Sequence, residues 1–167
     1  MSTSSQNLRH APRDERRSAR LAAVQALYQM ELTGDDAATV AQEFVDHRFS
    51  DAQVATAPDE ALFRAIVDGV PHRQSAIDRA IAAGLSANWR LQRIDSILRA
   101  ILRAAAYELV DRLDIPARVV MDEYIEIARR FSDEEQCAFV NAVLDRIAHA
   151  ERVAEFTGAP GDGDRAR

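Results

Sequence analysis

At 167 residues and 47% hydrophobic content the chain is long enough to bury about 70% of its unfolded surface in one domain. Its formal charge of -6 excludes a protein that coats nucleic acid indiscriminately, and no run approaches the roughly 18 to 20 apolar residues of a membrane span. One cysteine, Cys137, excludes an internal disulfide framework and a cysteine-rich zinc site, and the N-terminus MSTSSQNLRHAPRDERR lacks the apolar core of a signal peptide, so a cytoplasmic protein is expected.

Apolar residues recur at three and four almost throughout, and no alternating run is long enough for a sheet strand, which predicts an all-α chain. The serine-rich residues 1–12 and the Gly-, Pro- and charge-rich residues 157–167 are expected to be disordered, leaving 13–156 as a single all-helical domain. The first helix is predicted over 13–32, with Leu21, Val24, Leu27, Tyr28 and Leu32 on one stripe, ending before Thr33 and Gly34. Asp35 or Asp36 caps a second helix through Val40, Phe44 and Val45, and residues 49–60 read as a loop. Residues 60–83 carry Leu62, Phe63, Ile66, Val67, Val70, Ile77 and Ile81 at helical spacing, bent around Gly69, Val70 and Pro71 and stopped by Gly84.

Trp89 and Leu91 begin a short helical turn that leads into IDSILRAILRAAAYELVDRLDI. There Ile94, Ile97, Leu98, Ile101, Leu102, Ala105 and Leu109 cover more than half of the helix surface, the mark of a central core helix. Asp114 and Pro116 end it and open PARVVMDEYIEIARRF, with Val119, Val120, Tyr124, Ile127 and Phe131 facing inward. In the last helix Ser132 and Glu135 are spaced as a capping box, and Phe139, Val140, Val143, Leu144 and Ile147 follow at helical spacing. Cys137 lies in that pattern as a small buried or half-buried thiol. Six or seven helices with short connections make a bundle.

Five arginines between Arg9 and Arg20 face only Asp14 and Glu15, a net +3 at the start of the first helix of an acidic chain. Cations there oppose the helix dipole, so helix stability does not account for them, and a polyanion is the expected ligand. Catalytic chemistry finds no foothold. His10, His47, His72 and His149 are scattered without metal-ligand spacing, and no Gly-rich phosphate loop, GxSxG elbow or dinucleotide fingerprint occurs. The carboxylate groups at Asp122, Glu123 and Glu126 and at Asp133, Glu134 and Glu135 read as solvated faces or caps, with Arg129 and Arg130 placed to pair with Glu126. The chain is read as a non-enzyme without cofactor or metal.

Three stretches, RRSARLAAVQALYQMELTG, ILRAAAYELVDRLDIPARVVMDEYIEIARRFS and FVNAVLDRIA, resemble the NusB family of bacterial transcription antitermination factors over about residues 13–150. FVNAVLD one helix after IPARVVMDEYIEIA is the most specific part. The resemblance implies two small three-helix bundles packed across each other. It also implies binding to boxA RNA of leader and ribosomal RNA transcripts as a heterodimer with NusE, the small-subunit ribosomal protein, and loading of that complex onto RNA polymerase.

Carried over by motif, the family's basic patch matches Arg16, Arg17 and Arg20, with Arg13 one turn earlier as an addition, and its RNA-contacting region is similar to Phe131, Glu134, Gln136 and Phe139. Aromatics beside amides and carboxylates suit single-stranded RNA, which is read by stacking and by base-edge hydrogen bonds. Phe131 and Phe139 are equally compatible with core positions, Asn141 with a helix terminus, and Tyr28 with internal packing or with the NusE surface. Ala138 departs from the family, whose relatives carry a basic residue there. Two other readings fit the same helices: a helical protein adaptor without RNA affinity, and a stand-alone relative of the NusB-like domain of ribosomal RNA methyltransferases. At 167 residues no room for a catalytic domain is expected. For the free protein both monomer and homodimer remain open.

Overall fold

The computed structural model describes residues 13–51 and 56–157. Along them run α1 (Arg13–Thr33), α2 (Ala37–Glu43), α3 (Glu60–His72), α4 (Gln74–Gly84), α5 (Ser96–Asp111), α6 (Ala117–Phe131), α7 (Glu134–Glu151) and the short α8 (Val153–Phe156). A π-helical turn, Phe44–Arg48, extends α2, and a 3-10 turn, Leu91–Arg93, precedes α5. No strand occurs among the described residues. Disorder was expected of residues 1–12 and 157–167, which, Thr157 apart, lie outside the described residues.

Capping chemistry sets most of the boundaries. Asp36, Asp59 and Asp95 each accept a backbone N–H of the first turn of α2, α3 and α5. Gly34, at φ +77°, ends α1 in the left-handed conformation that glycine adopts without penalty. The capping box of α7 lies one residue later than the spacing of Ser132 and Glu135 suggests: Asp133 accepts from the Gln136 N–H, and the Gln136 side chain accepts from the Asp133 N–H. Ser132 instead donates back to the Ala128 carbonyl at the end of α6.

α5 is the centre, as its apolar run predicts. It packs on α1, α3, α4, α6 and α7, and its residues from Ala100 to Leu109 are buried except Arg103. Two groups of three helices, α1–α2–α3 and α4–α7–α6, meet across it. Two glycines allow close approach. A Cβ on Gly69 would lie 2.3 Å from Cε2 of Tyr107, and one on Gly84 would meet Ile147 Cγ1 and the Val143 carbonyl at 3.2 Å. Gly84 therefore serves packing against α7 rather than a left-handed stop, and the chain bends at Arg73, beyond Pro71, which α3 accommodates in its last turn.

Three residues assigned inward by periodicity lie at the surface: Leu32 at the end of α1, Val119 in the first turn of α6, and Phe131 at its last residue. Helix ends project past the neighbours that would cover them, which spacing alone does not register.

The core also holds charge. Arg20 of α1 meets Glu108 of α5 in a two-pronged pair, Nε to Oε2 and Nη2 to Oε1, each at 2.9 Å, and the Tyr124 hydroxyl of α6 donates to the same carboxylate. Burial alone would lower the Arg20 pKa, but the hydrogen bonds and charge of Glu108 outweigh it and the net direction is upward. Burial first, and then the Glu108 charge, hold the Tyr124 pKa well above the usual tyrosine value. Arg152, also buried, donates to the carbonyls of Glu108, Leu109, Arg112 and Ile115, closing the C-terminal end of α5 and the turn after it.

Removing one member of such a set strands the other. Arg20→Ala is expected to cost about 3 to 5 kcal/mol in urea unfolding because Glu108 stays buried without its cation. Arg152→Ala takes one donor from each of four carbonyls, of which those of Glu108 and Arg112 keep a backbone N–H, and should cost about 3 kcal/mol in the same measurement. The raised Tyr124 pKa contributes stability that is complete below the unfolded value of about 10 and is lost as pH rises through the folded value. The urea midpoint should therefore fall above pH of about 10, and fall less in Tyr124→Phe.

Candidate nucleic-acid interface

Arg13, Arg16, Arg17 and Arg20 lie on one stripe of α1 at i, i+3, i+4 and i+7. Because α1 passes beneath α5 and α6, that stripe goes from solvent to core within two turns: Arg13 is 74% exposed, Arg17 44% and Arg20 2%. Asp14 and Glu15 in the first turn suit the positive end of the helix dipole. Arg20 is thus corrected from phosphate ligand to core cation: its guanidinium is enclosed and its charge is spent on Glu108.

Arg13 and Arg17 meet a second carboxylate. Glu123 of α6, 5% exposed, accepts from Arg17 Nε at 2.9 and 3.1 Å on its two oxygens and from Arg13 Nε at 3.4 Å. Arg13, Arg17 and Glu123 together keep one net positive charge. The Arg16 side chain makes no hydrogen bond or ion pair among the described residues. Its charge adds to the hydrogen bond from Arg112 that holds the Asp114 carboxyl below the usual range.

α1 and α6 run side by side in the same direction from this point. A cleft between them is lined by Arg17, Ser18 and Leu21 on one side and by Glu123, Glu126, Ile127 and Arg130 on the other. Glu126 is taken by Arg129 alone. Arg130, which the i+4 spacing would pair with Glu126, is instead exposed over the cleft without an ion pair among the described residues. Further along, Tyr28, Gln25 and Leu32 of α1 enclose an apolar trough with Arg48, Ile97 and Phe131, whose ring is 39% exposed. Phe131 lies about 12 Å along α6 from Glu123.

The remaining nominated residues diverge. Glu134 is exposed at the start of α7, while Gln136 is half-buried with its carbonyl committed to the capping box. Phe139 is half-buried, its ring centroid 5.2 Å from that of Trp89 in the connection between α4 and α5. Asn141 is exposed and does not serve a helix terminus. Arg130 and Trp89 are the two additions the structure makes, the first legible only once α1 lies against α6, the second only once the turn after α4 meets α7. No group of three or more potential metal ligands occurs among the described residues.

Comparison with known proteins shows the family and the fold. The NusB family model matches residues 17–149. The transcription antitermination protein NusB of Maricaulis maris is 49% identical over 144 residues, 84% of this chain and 90% of that protein. The protein of the same name from Nitrobacter hamburgensis is 47% identical over 86% of this chain and 91% of its own length. Among solved structures, T. maritima NusB superposes with a TM-score of 0.70 at 34% identity, covering 89% of this chain and 99% of that one. A crystal structure of the antitermination factors NusB and NusE in complex with dsRNA superposes with a TM-score of 0.69 at 26% identity, covering 83% and 99%. With a family match across most of its length, and relatives nearly half identical to it, the chain belongs to the NusB family of transcription antitermination proteins.

Proposed function

We propose that this chain acts in antitermination by holding boxA-type single-stranded RNA of ribosomal RNA transcripts jointly with a NusE partner, the complex then joining RNA polymerase. The observation that carries this reading is the cationic start of α1 on a protein of net charge -6, where Arg13 and Arg17 are exposed, Arg16 is half-buried without an ion pair among the described residues, and Arg130 lines the same cleft as Arg17. A local positive surface on an acidic body attracts phosphate at one place and repels it elsewhere, which favours specific over indiscriminate binding. The similarity to a NusB that was crystallised with NusE and RNA supports the choice of partners.

Roles follow from position. Arg16, with no internal ion pair, and Arg13 and Arg17, which share one carboxylate, meet phosphates. Phe131, Glu134, Gln136 and Phe139 supply stacking and base-edge contacts near the α6–α7 turn. Tyr28, with the exposed Leu32 beside it, offers the apolar trough to the protein partner. A basic partner offsets the unfavourable net charge, so RNA affinity should rise when NusE is added to the isolated protein.

Filter binding across a salt series tests the reading. Arg16→Ala should lower affinity evenly across RNA sequences and reduce the slope of log K against log salt by about 0.7 to 1, with the thermal midpoint unchanged. Arg20→Ala should do the reverse, lowering the midpoint while leaving the slope of the folded protein alone. Glu123→Gln, which removes the carboxylate that Arg13 and Arg17 share, should tighten binding several-fold at low salt and steepen the slope. An RNA affinity indifferent to salt, to Arg16 and to NusE would overturn the proposal.

A further inference from the structure

We infer that Trp89 and Phe139 form a second base-stacking platform for single-stranded RNA, separate from the arginine cluster of α1. This inference rests on the RNA-binding reading above and extends it to a segment of the chain that the α1 motif does not reach. Trp89 stands in the connection after α4, 52% exposed, with its ring tilted 42° to that of Phe139 at a centroid distance of 5.2 Å. The half-buried Phe139 braces the indole by ring contact, while about half of the Trp89 surface is left to solvent. Leaving so large an aromatic half in water forgoes the burial that normally fixes such a ring, and a stacked ligand recovers it.

The charges around the pair select the kind of ligand. Arg90 and Arg93, immediately after Trp89, are exposed and make no side-chain hydrogen bond or ion pair among the described residues. Arg146, on the same face of α7 as Phe139, reaches back to the Gly84 carbonyl at 2.8 Å and so lies beside the same connection. The carboxylates nearest in sequence are partly committed: Asp95 accepts from the Ile97 N–H as the cap of α5, Asp145 pairs with His149, and Glu135 remains exposed one turn before Phe139. A flat apolar surface beside unpaired guanidinium groups fits a nucleobase followed by its phosphates. An apolar protein partner would gain nothing from the two arginines. Every nucleobase has a π-face, so the platform adds affinity with little sequence preference of its own.

Trp89 is the only tryptophan in the chain, which makes its emission a direct reporter. The full-length protein, alone and in complex with NusE, is titrated with end-labelled single-stranded boxA-type RNA. RNA anisotropy and tryptophan emission are read together, with the Trp89→Phe complex as blank. The expected result is quenching of Trp89 that saturates with the same midpoint as the anisotropy. Trp89→Ala should bind between about fivefold and a hundredfold more weakly, with Trp89→Phe largely retaining affinity and Trp89→Leu losing it. Arg90→Ala and Arg93→Ala should each flatten the salt slope, and equal thermal midpoints establish that the variants fold.

RNA that binds by anisotropy while Trp89 emission and the Trp89→Ala affinity stay unchanged overturns the platform and leaves the α1 surface standing. Emission that responds to NusE without RNA, and no further when RNA is added, assigns Trp89 to the protein interface and also overturns it. If no RNA binds under any condition, the RNA-binding reading itself fails and the platform fails with it.

Discussion

The buried contact among Arg20, Glu108 and Tyr124 determines where everything else on α1 points. Taking a guanidinium and a carboxylate out of water costs several kcal/mol per ion, and only a two-pronged pair with its remaining lone pair satisfied recovers most of that. The geometry here meets both conditions, and no buried side-chain polar atom among the described residues lacks a partner. What such a pair adds beyond stability is a fixed rotation. Arg20 cannot reach Glu108 unless α1 presents this one face to α5, and with that face fixed, Arg17 one turn earlier meets Glu123 of α6 while Arg16 is left without an ion pair. Surface electrostatics and core electrostatics are therefore successive turns of the same stripe.

Glu123 gives that surface its moderation. It is as buried as many core residues yet accepts from two exposed arginines, so the seam between α1 and α6 is held together by the same cations that would otherwise be free for phosphate. Such a pairing reduces the local field without abolishing it. Among the described residues, Arg130 on the facing helix and the half-buried Arg16 have no ion pair, so the shared carboxylate leaves their charge in place. For the RNA-binding role proposed here, a modest positive surface on a negative body favours selective over indiscriminate attraction of phosphate.

The helices were legible in the sequence because each carries its own apolar period and most carry a side-chain cap within reach of their first N–H groups. α5 stood out because apolar residues surround it on more than half its circumference, and its contacts with five other helices bear that out. Arg20 was not legible as a core residue while the arginines were counted as a cluster. Its signal was present all the same: it stands four and seven residues before Val24 and Leu27 on the buried stripe, and Glu108 interrupts the otherwise apolar AAAYELV. Two opposite charges on two core faces call for each other, but only tertiary structure says that those faces meet. Trp89 was hidden for a related reason. It lies in a connection with no periodicity, and its partner Phe139 is fifty residues away on a helix whose apolar stripe made it look like core.

The residues proposed to meet RNA all lie at or near helix ends: the exposed Arg13 and Arg17 and the half-buried Arg16 at the start of α1, the exposed Phe131 at the end of α6, the exposed Glu134 and the half-buried Gln136 and Phe139 in the opening turns of α7, and the exposed Trp89 after α4. Helix ends are where side chains escape coverage by neighbours, and they are held in space only as firmly as the helices behind them. α5 holds α1, α4, α6 and α7 at once, so elements separated by more than a hundred residues in sequence keep fixed spacings. The proposed nucleic-acid surface, assembled in this way, separates two kinds of change. Substitutions at the exposed ends alter contacts and leave the scaffold intact, whereas substitutions in α5 or at Arg20 and Arg152 shift the spacing of every contact together, and binding is then lost because the surface is lost.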